Sequence, residues 1–256
     1  MDEFSLTGKT ALVVGASRGI GLAIAQSLSR AGADTILAAR SIDALRKATD
    51  ALRAEGSSAR ECVLDISSSE SIRTAVSLLP DIDVLINAAG INLRKRFQDY
   101  TREEYDRLLQ TNLHGIVELT QVVGARMIAR GKGGKVVMIG SLMSILGLPF
   151  LSVYAISKSG LAGLTRVLAA EWGRYNIQVN CIAPGFILTD LNHDMWQTDE
   201  LHKWRTGAQA NPQMGTPAHI APLAVLLSGR GSDYITGQVI AVDGGYSTTA
   251  SWPFEP

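Results

Sequence analysis

At 256 residues, with 46% hydrophobic and 19% charged side chains and a formal net charge of zero, the chain has the composition of a globular protein with room for one large domain. The charge balance gives no electrostatic basis for binding nucleic acid or a membrane surface, and no apolar run approaches the ~18 residues of a membrane span. The acidic start, Met1 to Phe4, lacks a signal-peptide pattern. Cys62 and Cys181 lie in apolar runs and read as buried small hydrophobes. His114, His193, His202 and His219 show no metal-ligand spacing. The expectation is a metal-free, soluble, cytoplasmic protein folded as a single domain over 1–256, with a small-molecule ligand as its partner.

In chain order, the apolar run Thr10–Val14 reads as a strand and ends in Gly15-Ala-Ser-Arg-Gly-Ile-Gly21. A helical pattern follows, with Ile20, Ile24 and Leu28 on one face and Gly32 at its end. In such a strand–glycine turn–helix unit the backbone can approach a phosphate closely, and the helix N-terminus offers unpaired N–H groups. The spacing is G-x-x-x-G-x-G, not the familiar G-x-G-x-x-G, and a tight turn without a ligand is the plain alternative. Thr35–Ala39 is a second strand, ending at Arg40. An acidic residue at this strand end would bond a ribose 2′-hydroxyl, whereas an arginine can take a 2′-phosphate. Here Arg40 and Arg18 stand near the site, and the nearest acid, Asp34, is at the strand's opposite end. The pattern favours NADP(H), with NAD(H) as second choice; either arginine could also be a solvated surface residue.

The alternation continues with a helix over Ile42–Glu55, a strand over Glu61–Leu64 ending in Asp65, and a helix over Ser68–Leu79. A strand over Ile82–Ile86 runs into Asn87-Ala-Ala-Gly90. A long helix over 102–130 contains Asn112; a strand over Lys135–Ile139 precedes Ser141; and a further helix carries Tyr154 and Lys158 to Tyr175. The strand Ile177–Ile182 breaks at Pro184-Gly185, residues 189–211 read as polar and irregular, and a helix over Pro217–Leu227 precedes the last strand, Gln238–Val242. Strands separated by helices predict βαβ units, hence a Rossmann-type, doubly wound α/β fold with a parallel sheet of about seven strands and helices on both faces.

Tyr154 and Lys158, four residues apart on a helix, share one face. An ammonium beside a phenol favours the phenolate and lowers a pKa that is ordinarily about 10, making a group able to exchange a proton with a hydroxyl or carbonyl. Alone, Y-x-x-x-K equally describes a half-buried ring beside a snorkelling lysine. The other motifs decide. Gly15–Gly21, Asp65-Ile66, Asn87–Gly90, Asn112, Ser141, Tyr154–Lys158, Pro184-Gly185 and Asp243–Gly245, in this order, closely resemble the short-chain dehydrogenase/reductase family over nearly the whole chain. Ser141 lies 13 residues before Tyr154, the separation that family typically shows. The chain departs from the family pattern at Val14, where threonine is common, and at Ala88, which replaces the second asparagine of N-N-A-G.

The resemblance implies roles. Tyr154 would be the general acid–base, and Lys158 would depress its pKa and bind the nicotinamide ribose. Ser141 would hydrogen-bond the substrate oxygen, and Asn112 would hold a water leading from Lys158 to solvent. Gly15, Ser17, Arg18, Gly19, Ile20 and Gly21 would line the pyrophosphate and adenosine ribose, with Arg40 at the 2′ position. Asp65 and Ile66 would face adenine, and Asn87 and Gly90 would flank the ribose. Pro184, Gly185, Ile187 and Thr189 would hold the carboxamide. A homotetramer is the family expectation. Within the family, the basic run Ile91–Arg96 resembles the sugar-acid oxidoreductases of the gluconate 5-dehydrogenase and 2-deoxygluconate 3-dehydrogenase type. There Arg94, backed by Arg96, could pair with a carboxylate through a bidentate fork; the same run could be a solvated loop. Trp196, with His193, Trp204 and Arg205, would supply a substrate lid or an interface. The rivals are a 3-oxoacyl-thioester reductase and, more remotely, a non-catalytic dinucleotide sensor.

Overall fold

The computed structural model describes residues 2–189 and 192–250. Seven parallel strands form one sheet in the order β3-β2-β1-β4-β5-β6-β7. They are β1 (Thr10–Val14), β2 (Asp34–Ala39), β3 (Ala59–Val63), β4 (Val84–Asn87), β5 (Gly134–Ile139), β6 (Ile177–Pro184) and β7 (Val239–Val242). The helices are α1 (Gly19–Arg30), α2 (Ile42–Ala54), α3 (Ser69–Leu78), α4 (Arg102–Leu109), α5 (Gly115–Arg130), α6 (Ser152–Trp172), α7 (Asp199–Ala208) and α8 (Pro217–Ser228).

The central strands are largely apolar because both sheet faces are covered there, and successive side chains go to opposite faces; the edge strand β3 carries Arg60 and Glu61 and is only partly buried. On one face Ala11 and Val13 of β1 and Val137 and Ile139 of β5 pack with Ile24 and Leu28 of α1, Leu45 and Leu52 of α2 and Ile220 of α8. On the other, Leu12 and Val14 with Val136 and Met138 pack with Ile72 of α3, Leu119 and Val123 of α5 and Leu161 of α6. Each fully buried leucine or isoleucine stabilises the fold by roughly 1.5–3 kcal/mol relative to an exposed one. Cys181 is buried as expected, whereas Cys62 is only partly so, and both are free thiols.

The connectivity reverses at β1, which pairs with β2 on one side (Val14 opposite Ala38) and β4 on the other (Val14 opposite Asn87). In open α/β sheets the crevice at the carboxyl ends beside such a reversal is the ligand site.

Two sequence expectations change. The 102–130 helix is interrupted by one π turn at Gln110–His114, which carries Asn112; such turns occur often at functional sites. At the start of α5, a Cβ on Gly115 would lie 1.7 Å from the Ile66 carbonyl oxygen, so only glycine allows α5 to approach β3's exit this closely. The segment expected to be irregular, 189–211, instead contains a 3₁₀ turn at Asp194–Gln197 and helix α7. Asp199 and Glu200 in the first turn of α7 favour helix through the dipole, a signal outweighed in the sequence by the surrounding polar residues. Among the described residues no helix is long and apolar enough to cross a membrane, and no group of three or more His, Cys, Asp or Glu side chains could hold a metal. Helices α5 and α6 expose Val117, Ile156 and Val167.

Candidate active site

The predicted residues gather at the carboxyl edge of the sheet. Gly15 follows β1, Arg40 follows β2, Asn87 ends β4, Ser141 follows β5, and Pro184 ends β6. The glycine turn is packed from below and open above. A Cβ on Gly15 would lie 2.7 Å from the Ala89 nitrogen, and one on Gly21 would lie 2.2 Å from the Gly15 carbonyl oxygen. Gly19, at φ +57°, meets only the Thr189 methyl, at 3.6 Å. Helix α1 has no side-chain cap on its first turn, whereas α2, α3 and α4 are capped by Ser41, Ser68 and Thr101. Open first-turn N–H groups beside an unobstructed glycine are what a pyrophosphate needs. These residues therefore fit a dinucleotide.

Arg18 and Arg40 are both exposed, and neither makes an ion pair with a described residue. Asp34 is paired with Arg60 and accepts from Ser58, at the far end of β2. The Asp65 carboxyl is held below its ordinary range, chiefly by the Ser67 hydroxyl and further by the Ser67 amide and Arg40. Ile66, expected to face adenine, turns its side chain into the core cluster beneath α5 and is 6% exposed. Asn87 donates to the Thr120 hydroxyl at 3.0 Å, and its own Oδ1 is buried without a partner among the described residues.

Helix α6 carries Tyr154 and Lys158 on one face. Lys158 is buried, and its Nζ donates to the Ile139 carbonyl at 2.8 Å and lies 5.6 Å from the Tyr154 ring centroid. Burial pulls its pKa down to about 8, so it remains largely protonated at pH 7. The Tyr154 phenol is not depressed as the sequence suggested. Burial holds it above its ordinary value, while the Ser141 hydroxyl and the Arg94 guanidinium oppose that rise. Ser144 is a strut: its hydroxyl accepts from the Ser141 amide at 3.2 Å and donates to the Lys158 carbonyl at 2.9 Å.

Asn112 and Lys158 meet around Gly90, where a Cβ would stand 3.5 Å from both Asn112 Oδ1 and Lys158 Nζ. The Asn112 amide bonds the Ile91 backbone on both sides, accepting from its N–H and donating to its carbonyl, each at 2.8 Å. It therefore anchors the start of the basic loop. Along that loop Lys95 pairs with Glu104 at 2.8 Å, and its N–H donates to Phe150 O at 2.9 Å. Phe150 is held at φ +68°, a left-handed conformation that a bulky residue rarely adopts. Tyr100 donates to the Leu93 carbonyl at 2.6 Å, and Leu93 packs in one cluster with Val153 and Tyr154. With its neighbours fixed, Arg94 is left exposed, without an ion pair to a described residue, and close enough for its charge to act on the Tyr154 phenol. Arg96 is exposed and has no ion pair with a described residue either.

On the other wall, Gly185 packs against Asp243, where a Cβ would lie 2.6 Å from its Cα. Ile187 is buried and bridges to Gly215. Thr189 donates through its N–H to Asn192 Oδ1 at 2.8 Å, and Asn192 donates in turn to the Ile187 carbonyl at 2.8 Å. Trp196 packs against Phe186 with ring centroids 5.3 Å apart. Asn192, Phe186 and Tyr246 went unnoticed in the sequence. The aromatic pair had a usable signal, since each directly follows a glycine motif at the functional sheet edge.

Residues 15–247 match the family model described as enoyl-(acyl carrier protein) reductase. The chain is 36% identical over 252 residues to the gluconate 5-dehydrogenase of Gluconobacter oxydans, covering 97% of this chain and 98% of that protein. It is 38% identical over 248 residues to the 2-dehydro-3-deoxy-D-gluconate 5-dehydrogenase of Bacillus subtilis, covering 96% and 97%. The crystal structure of a gluconate 5-dehydrogenase from Burkholderia cenocepacia in complex with NADP and tartrate superposes with a TM-score of 0.93 at 32% identity, covering 97% of this chain and 99% of that one. Likeness of this extent, joined to a glycine turn shaped for a dinucleotide and a Ser–Tyr–Lys cluster at the sheet edge, places the chain in the short-chain dehydrogenase/reductase family, as an NAD(P)-dependent oxidoreductase acting on CH–OH groups.

Proposed function

We propose that this protein interconverts a secondary hydroxyl and a ketone on a sugar acid, with NADP(H) as the preferred cofactor. The observation that carries the substrate class is Arg94, a guanidinium with no ion pair among the described residues, held beside Tyr154 by bonds to both of its flanks. A carboxylate at one end of the substrate would pair with it in a bidentate fork while the reacting carbon lies at the phenol. The gluconate names of the relatives, and the tartrate and NADP of the crystallised one, support the same reading.

NADP(H), when bound, supplies or accepts the hydride. Tyr154 gives a proton to the carbonyl oxygen in reduction and takes it from the hydroxyl in oxidation. Ser141 donates to that oxygen and stabilises the charge developing on it. Lys158, with donor capacity beyond its bond to Ile139, orients the nicotinamide ribose and keeps a positive charge near the phenol. Asn112 fixes the Ile91 end of the substrate loop and, with Lys158 and Gly90, borders the path by which a proton returns to solvent. Gly15, Ser17, Gly19, Ile20 and Gly21 receive the pyrophosphate, Asp65 the adenine amino group, Asn87 and Gly90 the ribose, and the Pro184–Thr189 wall the carboxamide.

Arg40, assisted by Arg18, takes the 2′-phosphate. Arg40→Asp should weaken NADP(H) binding by about 10- to 100-fold, the order expected for losing a charged hydrogen bond and adding a repulsion, while NAD(H) binding holds or improves. Titration of reduced-nicotinamide fluorescence reads both constants. Equal NADP(H) affinity in the variant would remove Arg40 from the cofactor site.

A further inference from the structure

Among the described residues, two that are not glycine have a left-handed backbone, Asn176 at φ +57° and Phe150 at φ +68°. Asparagine tolerates that region because its short polar side chain can bond locally; phenylalanine has no such help. Pro149 and Phe150 form the tip of a turn. Where proline leads a turn and the next residue has a positive φ, that next residue is ordinarily glycine or asparagine. Burial of the ring does not account for the conformation, since Phe150 is 56% exposed. Strain of this kind persists only where the surroundings over-determine it, and it gathers at functional sites.

What the conformation secures is the direction of one carbonyl. Phe150 O accepts from the Lys95 N–H at 2.9 Å, so the residue next to Arg94 is tied to the segment that leads into α6. Leu151, one residue on, is buried in the apolar cluster against which Tyr154 packs. Its carbonyl accepts from the Ala155 N–H at 2.7 Å, in the first turn of α6. Tyr154 stands in that same turn, four residues after Phe150. The rest of the loop is held from the α4 side. Lys95 Nζ donates to both Glu104 carboxylate oxygens, at 3.0 and 2.8 Å, and the Tyr100 hydroxyl donates to the Leu93 carbonyl. Among the described residues, the bond to Phe150 is the one hydrogen bond that joins residues 93–95 to the start of α6.

We propose that Phe150 is a positioning residue for the substrate-binding arginine: its left-handed backbone aims the carbonyl that locks Lys95, and so sets where Arg94 stands relative to Tyr154. A substrate gripped at its carboxylate by Arg94 must bring its reacting carbon to the phenol. That arrangement is sensitive to the separation of the two groups, since a misplacement of about 1 Å can cost on the order of 100-fold in rate. The role belongs to the backbone of Phe150 and not to its ring. This inference rests on the sugar-acid reading above and adds to it the element that couples the carboxylate anchor to the helix of proton transfer.

The test compares Phe150→Asn, which can hold a positive φ, with Phe150→Val, whose branched Cβ strongly disfavours it. Steady-state kcat and KM for a sugar acid are measured for each variant, alone and combined with Arg94→Ala, with urea unfolding as the check on folding. The asparagine variant should stay within about twofold of wild type, whereas the valine variant should lose about tenfold in kcat/KM, mostly through KM. In the Arg94→Ala background the valine substitution should cost less than about twofold, because the group it displaces is gone. Equal losses with asparagine and valine would place the effect in the ring. No loss with valine, or the same loss with and without Arg94, would show that the turn does not act through the arginine. Each of these results overturns the assignment. Phe150→Thr, also β-branched, takes the place of the valine variant if that chain does not fold. A wild-type enzyme inert toward sugar acids, or Arg94→Ala with a wild-type KM, would overturn this inference together with the reading beneath it. A large Arg94 effect beside a silent Phe150→Val would overturn this inference alone.

Discussion

Tyr154→Phe is expected to lower kcat in both directions by about 10²- to 10⁴-fold, the span associated with a positioned general acid–base, while cofactor affinity stays near wild type. The ring keeps its place because it packs against the apolar clusters that contain Val153 and Leu151; only the exchangeable proton is lost. Stopped-flow measurement with saturating cofactor separates the chemical step from binding. Undiminished turnover would show that Tyr154 is not the proton carrier. The pH dependence has a definite sign. Burial holds the phenol above its ordinary pKa, so the acid form needed for reduction persists through neutral pH. Oxidation needs the base form and should accelerate as pH rises. Lys158, with a pKa of about 8 from burial, loses its charge within the same rise and with it part of its support for the phenolate. The oxidation profile should therefore rise less steeply above that pH than a lone tyrosine would give.

Arg94→Ala is expected to raise KM for a sugar acid by about 10- to 100-fold, the range for a charged hydrogen-bonded contact, and to leave KM for the matched neutral polyol nearly unchanged. Arg94→Lys should restore the charge but not the two-pronged geometry, and recover only part of the loss. A second effect distinguishes this arginine from a merely structural one. Its guanidinium opposes the rise in the Tyr154 pKa, so removing it should move the rising limb of the oxidation profile to higher pH even for the neutral polyol. The other groups facing that phenol are Ser141 and, from its own helix, Lys158; both remain. Equal KM changes on acid and polyol, with no shift of the profile, would take Arg94 out of the site.

The strands were legible because a sheet covered on both faces needs uninterrupted apolar runs, and β1, β2 and β5 leave little else those residues could form. The glycine turn and the Tyr154–Lys158 pair were legible because their chemistry needs fixed spacing along one element. What depends on distant parts of the chain meeting was not. Phe186, Trp196, Trp204 and Tyr246 are separated in sequence by up to 60 positions, and no local period connects them. Asn112 stood out as a polar residue in a helix, yet its partner, the backbone of Ile91, is 21 residues away. Ile66, expected at the adenine, also has its carbonyl against Gly115 and its side chain in the core cluster beneath α5, contacts between distant parts of the chain that no local pattern shows. Helix α7 hid because its local signal, Asp199 and Glu200 in the first turn, is short and set among polar residues, while its docking of Trp204 against Phe186 and Tyr246 joins distant parts of the chain.

The central claim is that the site oxidises the hydroxyl of a chain bearing a carboxylate. The direct measurement is reduced-nicotinamide absorbance with NADP+ and a series of hexonic acids, compared with the matched polyols and, in the reverse direction, with NADPH and 3-oxoacyl thioesters. The expected result is a kcat/KM for at least one sugar acid about tenfold or more above that of its neutral counterpart, with the acyl thioesters idle. Turnover of the thioesters with all sugar acids inert would contradict the account.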